Sequence, residues 1–231
     1  TYYLGFKVNS GEYKVMGLAP YGEPKFTDII FKNLIDLKED GSFKLNMKYF
    51  NYATGLTMTN RNFNELFGQK VRDPKKELLT PFHMNIAASI QAVIEKIILR
   101  LMTNIQKETK IKNLCLAGGV ALNCVANGKI LKNKIFQNIW IQPASGDAGG
   151  SIGAALGYWF KELSNPRNKN EDKSDEMIGS YLGPAFTEKE IEKSLNSLGA
   201  KYEKYDKEEM IQITANELKN GKIVGWFQGR M

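Results

Sequence analysis

The pattern of apolar and polar residues is most regular between residues 80 and 108, where it predicts a long helix. Apolar residues recur there at three- and four-residue spacing, as an amphipathic helix requires. These residues are Ile86, Ile90, Val93, Ile94, Ile97, Leu101 and Ile105. Thr80 suits the N-cap and Pro81 the first helical position, so we expect the helix to run from there to about Glu108.

After this helix, short apolar runs alternate with helical patterns, which is typical of an α/β fold. Residues 112–117 and 136–142 are predicted strands, and each is followed by a glycine-rich loop. Residues 120–131 and 150–163 are the helices that we expect after those loops. The sequence therefore predicts two successive strand–loop–helix units.

The first 73 residues are less regular. Residues 19–24 carry a strong turn signal, residues 29–35 a short helical pattern, and the Asp40-Gly41 pair favours a hairpin turn. Residues 51–73 are polar and show little periodicity. We interpret that stretch as a surface lobe.

A shift in composition near residue 164 predicts a domain boundary. Residues 164–178 are rich in Asn, Lys and Asp and almost free of apolar residues, which is typical of a linker. Thr187 and Glu190 then predict a capping box for a helix, followed by a helix at about residues 208–218 and a buried strand at 222–227. We predict domains at residues 1–163 and 179–231, and we expect the chain to be an internal piece that begins and ends within a domain.

The 231-residue chain has a formal net charge of +7 and a pI near 9.2, which suits anionic partners. The lysines are interspersed with glutamates, so we interpret them as solvated faces and do not expect nucleic acid as a partner. No apolar run approaches the roughly 18 residues of a membrane span, so we expect no membrane partner. Cys115 and Cys124 fit neither a disulfide framework nor a zinc site, and we expect buried thiols in a cytoplasmic protein.

The two glycine loops carry the strongest chemical signal. The first contains Gly118, Gly119 and Asn123, and the second contains Gly146, Asp147, Gly149 and Gly150. A helix N-terminus presents unpaired N–H groups and partial positive charge, and glycine lets the backbone approach a phosphate closely. The Asp147 carboxylate suits a metal that bridges phosphates. The alternative is that the glycines only form tight turns and Asp147 caps a helix; neither loop matches the P-loop or the Rossmann pattern.

Five segments, in the same order along nearly the whole chain, closely resemble the NodU/CmcH-type O-carbamoyltransferases. They are residues 11–22 (GEYKVMGLAPYG), 83–91 (HMNIAASIQ), 113–127 (NLCLAGGVALNCVAN), 142–156 (QPASGDAGGSIGAAL) and 225–231 (GWFQGRM). The resemblance implies an α/β fold made of the later half of an actin/Hsp70-like ATPase domain of the Kae1-like type. The start of a YrdC-like α/β domain would follow it.

The resemblance also implies a reaction and its partners. ATP and carbamoyl phosphate would give carbamoyl-adenylate, and its carbamoyl group would move to a hydroxyl of a sugar or natural-product acceptor. A divalent metal would occupy an iron-type site in the first domain, and Mg would accompany the nucleotide. The family's histidine ligands would precede Thr1, so we expect this chain alone to keep no metal and to be inactive. A homodimer is compatible with the family.

The resemblance further assigns roles to individual residues. Nucleotide binding would fall to Gly118, Gly119, Asn123, Gly146, Gly149 and Gly150. Asp147 would bind the metal, Glu12 and Lys14 would be catalytic, and Arg230 would bind carbamoyl phosphate. Simpler interpretations stand beside these: Asn123 as an ordinary polar helix residue, and Glu12 with Lys14 as a surface ion pair. For His83, the only histidine, a structural role is favoured over a catalytic one.

Two other functions share this fold and stay open at the level of sequence. One is a Kae1-type tRNA threonylcarbamoyl transferase, which would account for the basic pI. Solitary Kae1 proteins have no YrdC-like part downstream, so the residues after the linker weaken this alternative. The other is a nucleotide-binding module without catalytic activity.

Overall fold

The structure is a computed structural model that describes residues 1–167 and 177–230. It divides into a first unit, Thr1–Asn165, and a second unit, Pro166–Met231. The first unit contains helices α1 (Glu12–Leu18), α2 (Thr27–Asn33), α3 (Arg61–Phe67), α4 (Pro81–Thr109), α5 (Cys124–Lys132) and α6 (Gly149–Gly157) and strands β1 (Ile35–Leu37), β2 (Phe43–Leu45), β3 (Asn113–Leu116) and β4 (Asn138–Ile141). This mixture of helices and strands is an α/β architecture, as predicted.

Helix α4 is the centre of the first unit's core. Its apolar face packs against the N-terminal segment and helices α1, α2 and α3. Aromatic side chains fill much of this core: the Tyr3 and Phe63 rings lie 4.8 Å apart, and the Phe26 and Phe82 rings 5.5 Å apart. Both pairs are edge-to-face, the arrangement that the quadrupoles of aromatic rings favour.

The predicted long helix is confirmed at both ends. Thr80 is the N-cap and Pro81 the first helical residue, and the helix ends at Thr109. His83 completes the cap, because its Nδ1 atom accepts a hydrogen bond from the Thr80 N–H at 3.1 Å. The side chain is buried, which supports the structural role that the sequence favoured.

The hairpin predicted at Asp40-Gly41 is also confirmed. Strands β1 and β2 pair antiparallel, with Ile35 opposite Leu45 and Leu37 opposite Phe43. The Asp40 carboxylate accepts hydrogen bonds from the backbone N–H and the hydroxyl of Ser42. These bonds order the turn.

Strands β3 and β4 form a parallel pair joined through α5, and α6 follows β4. The two predicted strand–loop–helix units are therefore present. The helix expected at 120–131 begins later, at Cys124, because a 3₁₀ turn at Gly119–Leu122 precedes it and Asn123 caps it. The last predicted helix of this unit changes to a π-helical turn at Tyr158–Glu162.

The second unit contains helices α7 (Glu188–Ser197) and α8 (Lys207–Lys219). The predicted capping box is confirmed: the Thr187 hydroxyl accepts from the Glu190 N–H at 3.3 Å, and the Glu190 carboxylate accepts from the Thr187 N–H at 2.7 Å. The strand predicted at 222–227 is wrong. A strand requires a hydrogen-bonded neighbour, and the described part of this unit provides none; the Ile223 side chain is fully exposed.

Two further predictions need correction. The polar stretch 51–73 is not only a surface lobe, because Phe63 and Phe67 project from one face of α3 into the core. Cys115 and Cys124 are exposed rather than buried. Burial alternates along β3, and Cys115 lies on its more exposed side, while Cys124 is the first residue of α5.

Residues 168–176 of the predicted linker lie outside the described residues, so the domain limits 1–163, 164–178 and 179–231 stay a prediction. No helix in the described ranges is both long enough and apolar enough to cross a membrane.

Candidate functional site

Helix α4 holds residues 23–26 through two polar side chains one turn apart. The Asn85 side-chain oxygen accepts from the Glu23 N–H at 2.8 Å, and the Ser89 hydroxyl accepts from the Phe26 N–H at 2.9 Å. Ser89 is fully buried and donates in turn to the Asn85 carbonyl at 2.6 Å. The family-like segment 83–91 on α4 therefore holds the chain directly after the family-like segment 11–22.

Gln91, further along α4, pairs with Asn123 at the end of the first glycine loop. Asn123 donates its amide N–H to the Gln91 oxygen at 3.0 Å, and Gln91 donates back to the Asn123 oxygen at 3.2 Å. The Asn123 oxygen also accepts from the Ala126 N–H at 3.1 Å, which caps α5. Asn123 is therefore not an ordinary polar helix residue, because it links the start of α5 to α4.

A buried carboxylate extends this network. Glu95, one turn after Gln91, accepts from the Gln91 amide at 2.9 Å and forms an ion pair with Lys129 of α5. The Glu95 side chain is 8% exposed and that of Lys129 47%. A buried carboxylate without a partner is costly, and here the lysine and the amide both contact it.

The two glycine loops are in direct contact. The Gly118 N–H donates to the Ser145 carbonyl at 2.8 Å, which joins the end of β3 to the loop after β4. Gly118 has φ = +96°, a conformation that residues with a Cβ atom rarely adopt. The glycine is therefore required for the backbone path that brings the first loop against the second.

The second loop is a compact turn. The Gly149 N–H donates to the Gly146 carbonyl at 3.1 Å, and the Gly150 N–H donates to the Asp147 carbonyl at 3.0 Å. Ser145 is buried, and in the described structure its hydroxyl has no hydrogen-bond partner. A buried hydroxyl without a partner is unusual, and this one lies where the two loops meet.

Open space lies beside four of the five loop glycines. A Cβ atom added to Gly118, Gly119, Gly146 or Gly150 would meet no protein atom within 4 Å, whereas one added to Gly149 would meet the Ala144 carbonyl oxygen at 2.0 Å. Gly149 therefore serves the packing of the loop itself. The other four leave space beside their backbone for a ligand.

The predicted catalytic residues lie on α1. Glu12 and Lys14 are exposed and do not pair with each other, so the interpretation as a surface ion pair is wrong. One Glu12 oxygen accepts from the Asn9 N–H at 2.8 Å, and the Lys14 ammonium lies 5.9 Å from the centre of the Tyr13 ring. Val15 and Leu18 of the same helix are buried in the core beside α4.

Asp147 is exposed, and within the described ranges its carboxylate makes no hydrogen bond or ion pair. The N-cap of α6 is Ala148, so Asp147 does not cap that helix. Arg230 lies in the second unit, where its guanidinium donates to the Gly183 carbonyl at 2.6 Å. The loop residues are thus brought together, while Arg230 belongs to another unit.

Comparison with known proteins assigns the chain to a family. Residues 1–156 match the family described as the carbamoyltransferase N-terminus. The chain belongs to that family. This match spans α1, α4 and both glycine loops, so the carbamoyltransferase segment includes the entire network between α4 and α5.

Individual relatives cover the same region. The carbamoyltransferase chain is 60% identical to an uncharacterized protein of Synechocystis, over the whole chain and 37% of that protein. It is 34% identical to nodulation protein NolO of Bradyrhizobium diazoefficiens, over 95% of the chain and 37% of that protein. It is 33% identical to nodulation protein NolNO of Sinorhizobium fredii, over 99% of the chain and 31% of that protein. The resemblance to the NodU/CmcH-type family is confirmed, and the chain spans about a third of the length of these relatives.

The residues present fit a nucleotide better than a metal. Accessible glycine backbone and an unpartnered hydroxyl at the loop junction suit phosphate oxygens. Asp147 is a single carboxylate, and the described residues contain no group of three or more His, Cys, Asp or Glu side chains that could hold a metal ion. The described donor set therefore does not match a metal centre.

Four polar residues of the site escaped prediction: Asn85, Ser89, Gln91 and Glu95. Their signal was in the sequence, because they form two pairs at four-residue spacing in the first half of an amphipathic helix. Polar residues at such spacing on a half-buried helix indicate a face that meets other polar groups.

Proposed function

We propose that the first unit provides the nucleotide-binding shelf of an ATP-dependent O-carbamoyltransferase. The fold would be the later part of an actin/Hsp70-like, Kae1-like ATPase domain, and the second unit would begin a YrdC-like domain. The substrates would be ATP, carbamoyl phosphate and a small molecule with a free hydroxyl. We also propose that the protein is cytoplasmic.

One observation carries the proposal. The Gly118 N–H bond to Ser145 holds two glycine loops side by side, while Gly119, Gly146 and Gly150 keep open space beside their backbone. Two adjacent loops, each leading into a helix N-terminus, offer N–H donors to the phosphate of an adenylate. The family membership of residues 1–156 supports carbamoyl transfer as the chemistry served by that shelf.

The transfer step needs little from the protein beyond positioning. ATP, carbamoyl phosphate and water first give carbamoyl-adenylate, pyrophosphate and phosphate. The acceptor oxygen then forms a bond to the carbamoyl carbon, the bond from that carbon to the adenylate oxygen breaks, and AMP leaves with the electron pair. Because the mixed anhydride is already activated, no protein nucleophile is required, and N–H dipoles that stabilise the developing negative charge accelerate the step.

The α1 residues would act at the acceptor end of the site. One Glu12 oxygen is held by the Asn9 N–H, which leaves the other oxygen free to take the proton of the acceptor hydroxyl. The Lys14 ammonium would neutralise charge on the carbamoyl or phosphate oxygens. In the second unit, the Arg230 guanidinium suits bidentate binding of carbamoyl phosphate.

The family resemblance would make Asp147 one ligand of a divalent metal. Because the described residues do not match a metal centre, no step above depends on a metal.

The test uses the full-length protein that contains this sequence. Incubation with ATP, carbamoyl phosphate and Mg²⁺ should release pyrophosphate, and the release should depend on carbamoyl phosphate. Hydroxyl acceptors should then convert the adenylate to AMP and an O-carbamoylated product, detected by mass spectrometry. Pyrophosphate release that is independent of carbamoyl phosphate, or no release at all, would contradict the proposal.

A further inference from the structure

A second candidate site lies in the first unit, away from the glycine loops. It is a groove of about 980 Å³ between the β1–β2 hairpin, the end of α2 and the middle of α4. Its wall includes no residue of either glycine loop and neither Glu12 nor Lys14. The volume is in the range of small-molecule sites, on the order of 300–1,000 Å³.

The groove is strongly basic. Five cationic side chains line it: Lys32, Lys44, Lys48, Lys96 and Arg100. The only acidic lining residue is Asp36, and its carboxylate is paired with Lys38 at 2.6 Å. Across the described ranges, none of the five cations forms an ion pair.

Other unpaired lysines occur along the chain, and the groove differs in gathering five such cations in one concave wall, while some basic residues elsewhere are neutralised. Lys25, Lys76, Lys129, Lys204 and Lys222 each pair with a carboxylate. Five unpaired cations in one concave wall repel one another and raise the local positive potential. Such an arrangement is stabilised by an anion that binds among them.

Three of the cations are held in place by uncharged partners. The Lys96 ammonium lies 4.8 Å from the centre of the Phe31 ring, and the Lys48 ammonium 5.8 Å from that of Tyr49. Arg100 donates one N–H to the Lys38 carbonyl at 3.1 Å. Contacts of this kind orient a cation without neutralising its charge, so the groove is preorganised for an anion.

We propose that this groove binds a small molecule that carries two or more phosphate groups. The cations come from α2, from the hairpin and from α4, and a chain of phosphates offers several anionic groups to them. The half-buried side chains of Phe31 and Leu37 in the wall would contact an organic part of the ligand. The site is independent of the proposed carbamoyl transfer and lies on different residues.

The test measures binding of inorganic tripolyphosphate to the full-length protein by isothermal titration calorimetry at low ionic strength. The variant Lys44→Gln/Lys48→Gln removes two hairpin cations, both exposed. The matched control, Lys112→Gln/Lys132→Gln, removes the same charge from exposed positions of the first unit outside the groove. We expect the groove variant to bind about tenfold more weakly and the control to change by less than about twofold.

Further arms separate the alternatives. Orthophosphate should bind far more weakly than tripolyphosphate. Equal loss in the groove variant and its control would show a net-charge effect and overturn the proposal. So would the absence of binding by the wild type, or selective binding of a single-stranded RNA oligonucleotide without tripolyphosphate binding. Circular dichroism confirms that each variant is folded.

Discussion

The side-chain amides of Gln91 and Asn123 hydrogen-bond to each other in both directions, at 3.0 and 3.2 Å. The two residues are 32 positions apart, and the pair connects the centre of α4 to the residue that caps α5. Because Asn123 follows the 3₁₀ turn that begins at Gly119, the pair also fixes the first glycine loop. The polar face of α4 is thus the element that positions the proposed nucleotide shelf.

Replacing Gln91 with Leu should destabilise the protein and weaken the shelf. The change leaves the amide of Asn123 and one oxygen of the buried Glu95 without partners, so we expect a loss of about 1–3 kcal/mol in the free energy of unfolding. Urea unfolding measures it. Gln106→Leu, on the same helix but without a side-chain bond in the described structure, is the control and should change stability by less than about 0.5 kcal/mol.

Removing the ammonium of Lys129 tests the buried carboxylate. Lys129→Met leaves Glu95 with only the Gln91 amide as partner, and we expect a cost of about 1–3 kcal/mol, below that of a fully buried pair because the lysine is half exposed. Lys132→Met, one turn away on α5, should be close to neutral. If both variants unfold at the same urea concentration, the ion pair contributes no stability.

The stability of the protein should fall in acid partly through His83. Burial lowers the pKa of His83, the positive charge of Arg72 lowers it further, and Glu77 opposes the shift. The unfolded state then binds the proton more readily, so the His83 contribution is complete above about pH 6.5 and is lost as the pH falls towards the folded-state pKa. The unfolding free energies of the wild type and of His83→Gln should therefore differ by a constant amount above about pH 6.5, and the difference should shrink as the pH falls below it. Parallel curves throughout would contradict this account.

Replacing either of two glycines in the segment 11–22 with alanine should change the stability of the protein in opposite directions. A Cβ atom at Gly22 would meet the Met84 carbonyl oxygen at 2.1 Å, so Gly22→Ala forces the segment away from α4. We expect this variant to lose about 1–3 kcal/mol of unfolding free energy, which lowers the melting temperature by several degrees. A Cβ atom at Gly17 meets nothing within 4 Å, and Gly17 lies within helix α1. Gly17→Ala should therefore stabilise the protein by roughly 0.5–1 kcal/mol. Equal melting temperatures would argue against the close packing at Met84.

Local signals in the sequence predicted the elements that depend on local physics. The apolar period and the Thr80-Pro81 start of α4, the Asp40-Gly41 turn and the Thr187–Glu190 capping box are all confirmed, because each depends on residues within a few positions of one another. The Phe63 and Phe67 pair was missed because polar neighbours conceal a two-residue apolar face.

The connections within the site could not be predicted in the same way. The sequence around Asn123 looks the same whether its side chain is solvated or hydrogen-bonded to a residue 32 positions earlier. Only the packing of α5 on α4 decides between these two environments. The strand expected at 222–227 failed for a related reason, since an apolar run becomes a strand only where a neighbour pairs with it. The two strand–loop–helix units were predicted because glycine marks a tight turn through its backbone conformation.

The central claim is that the open space beside the glycine loops holds the nucleotide. Gly119→Leu fills that space with a side chain that meets no protein atom at its Cβ, so the fold should be kept. Gly128→Leu is the matched control, because a Cβ at Gly128 is equally free but lies in α5 beyond the loop.

The most direct measurement is the steady-state transfer of the carbamoyl group from ATP and carbamoyl phosphate to a hydroxyl acceptor by these two full-length variants, with melting temperatures recorded in parallel. We predict that Gly119→Leu lowers kcat/KM by at least about tenfold, or ~1.4 kcal/mol, at an unchanged melting temperature, while Gly128→Leu keeps the wild-type kcat/KM. Wild-type kcat/KM in Gly119→Leu, or an equal loss in both variants, would contradict the assignment of the glycine loops as the nucleotide shelf.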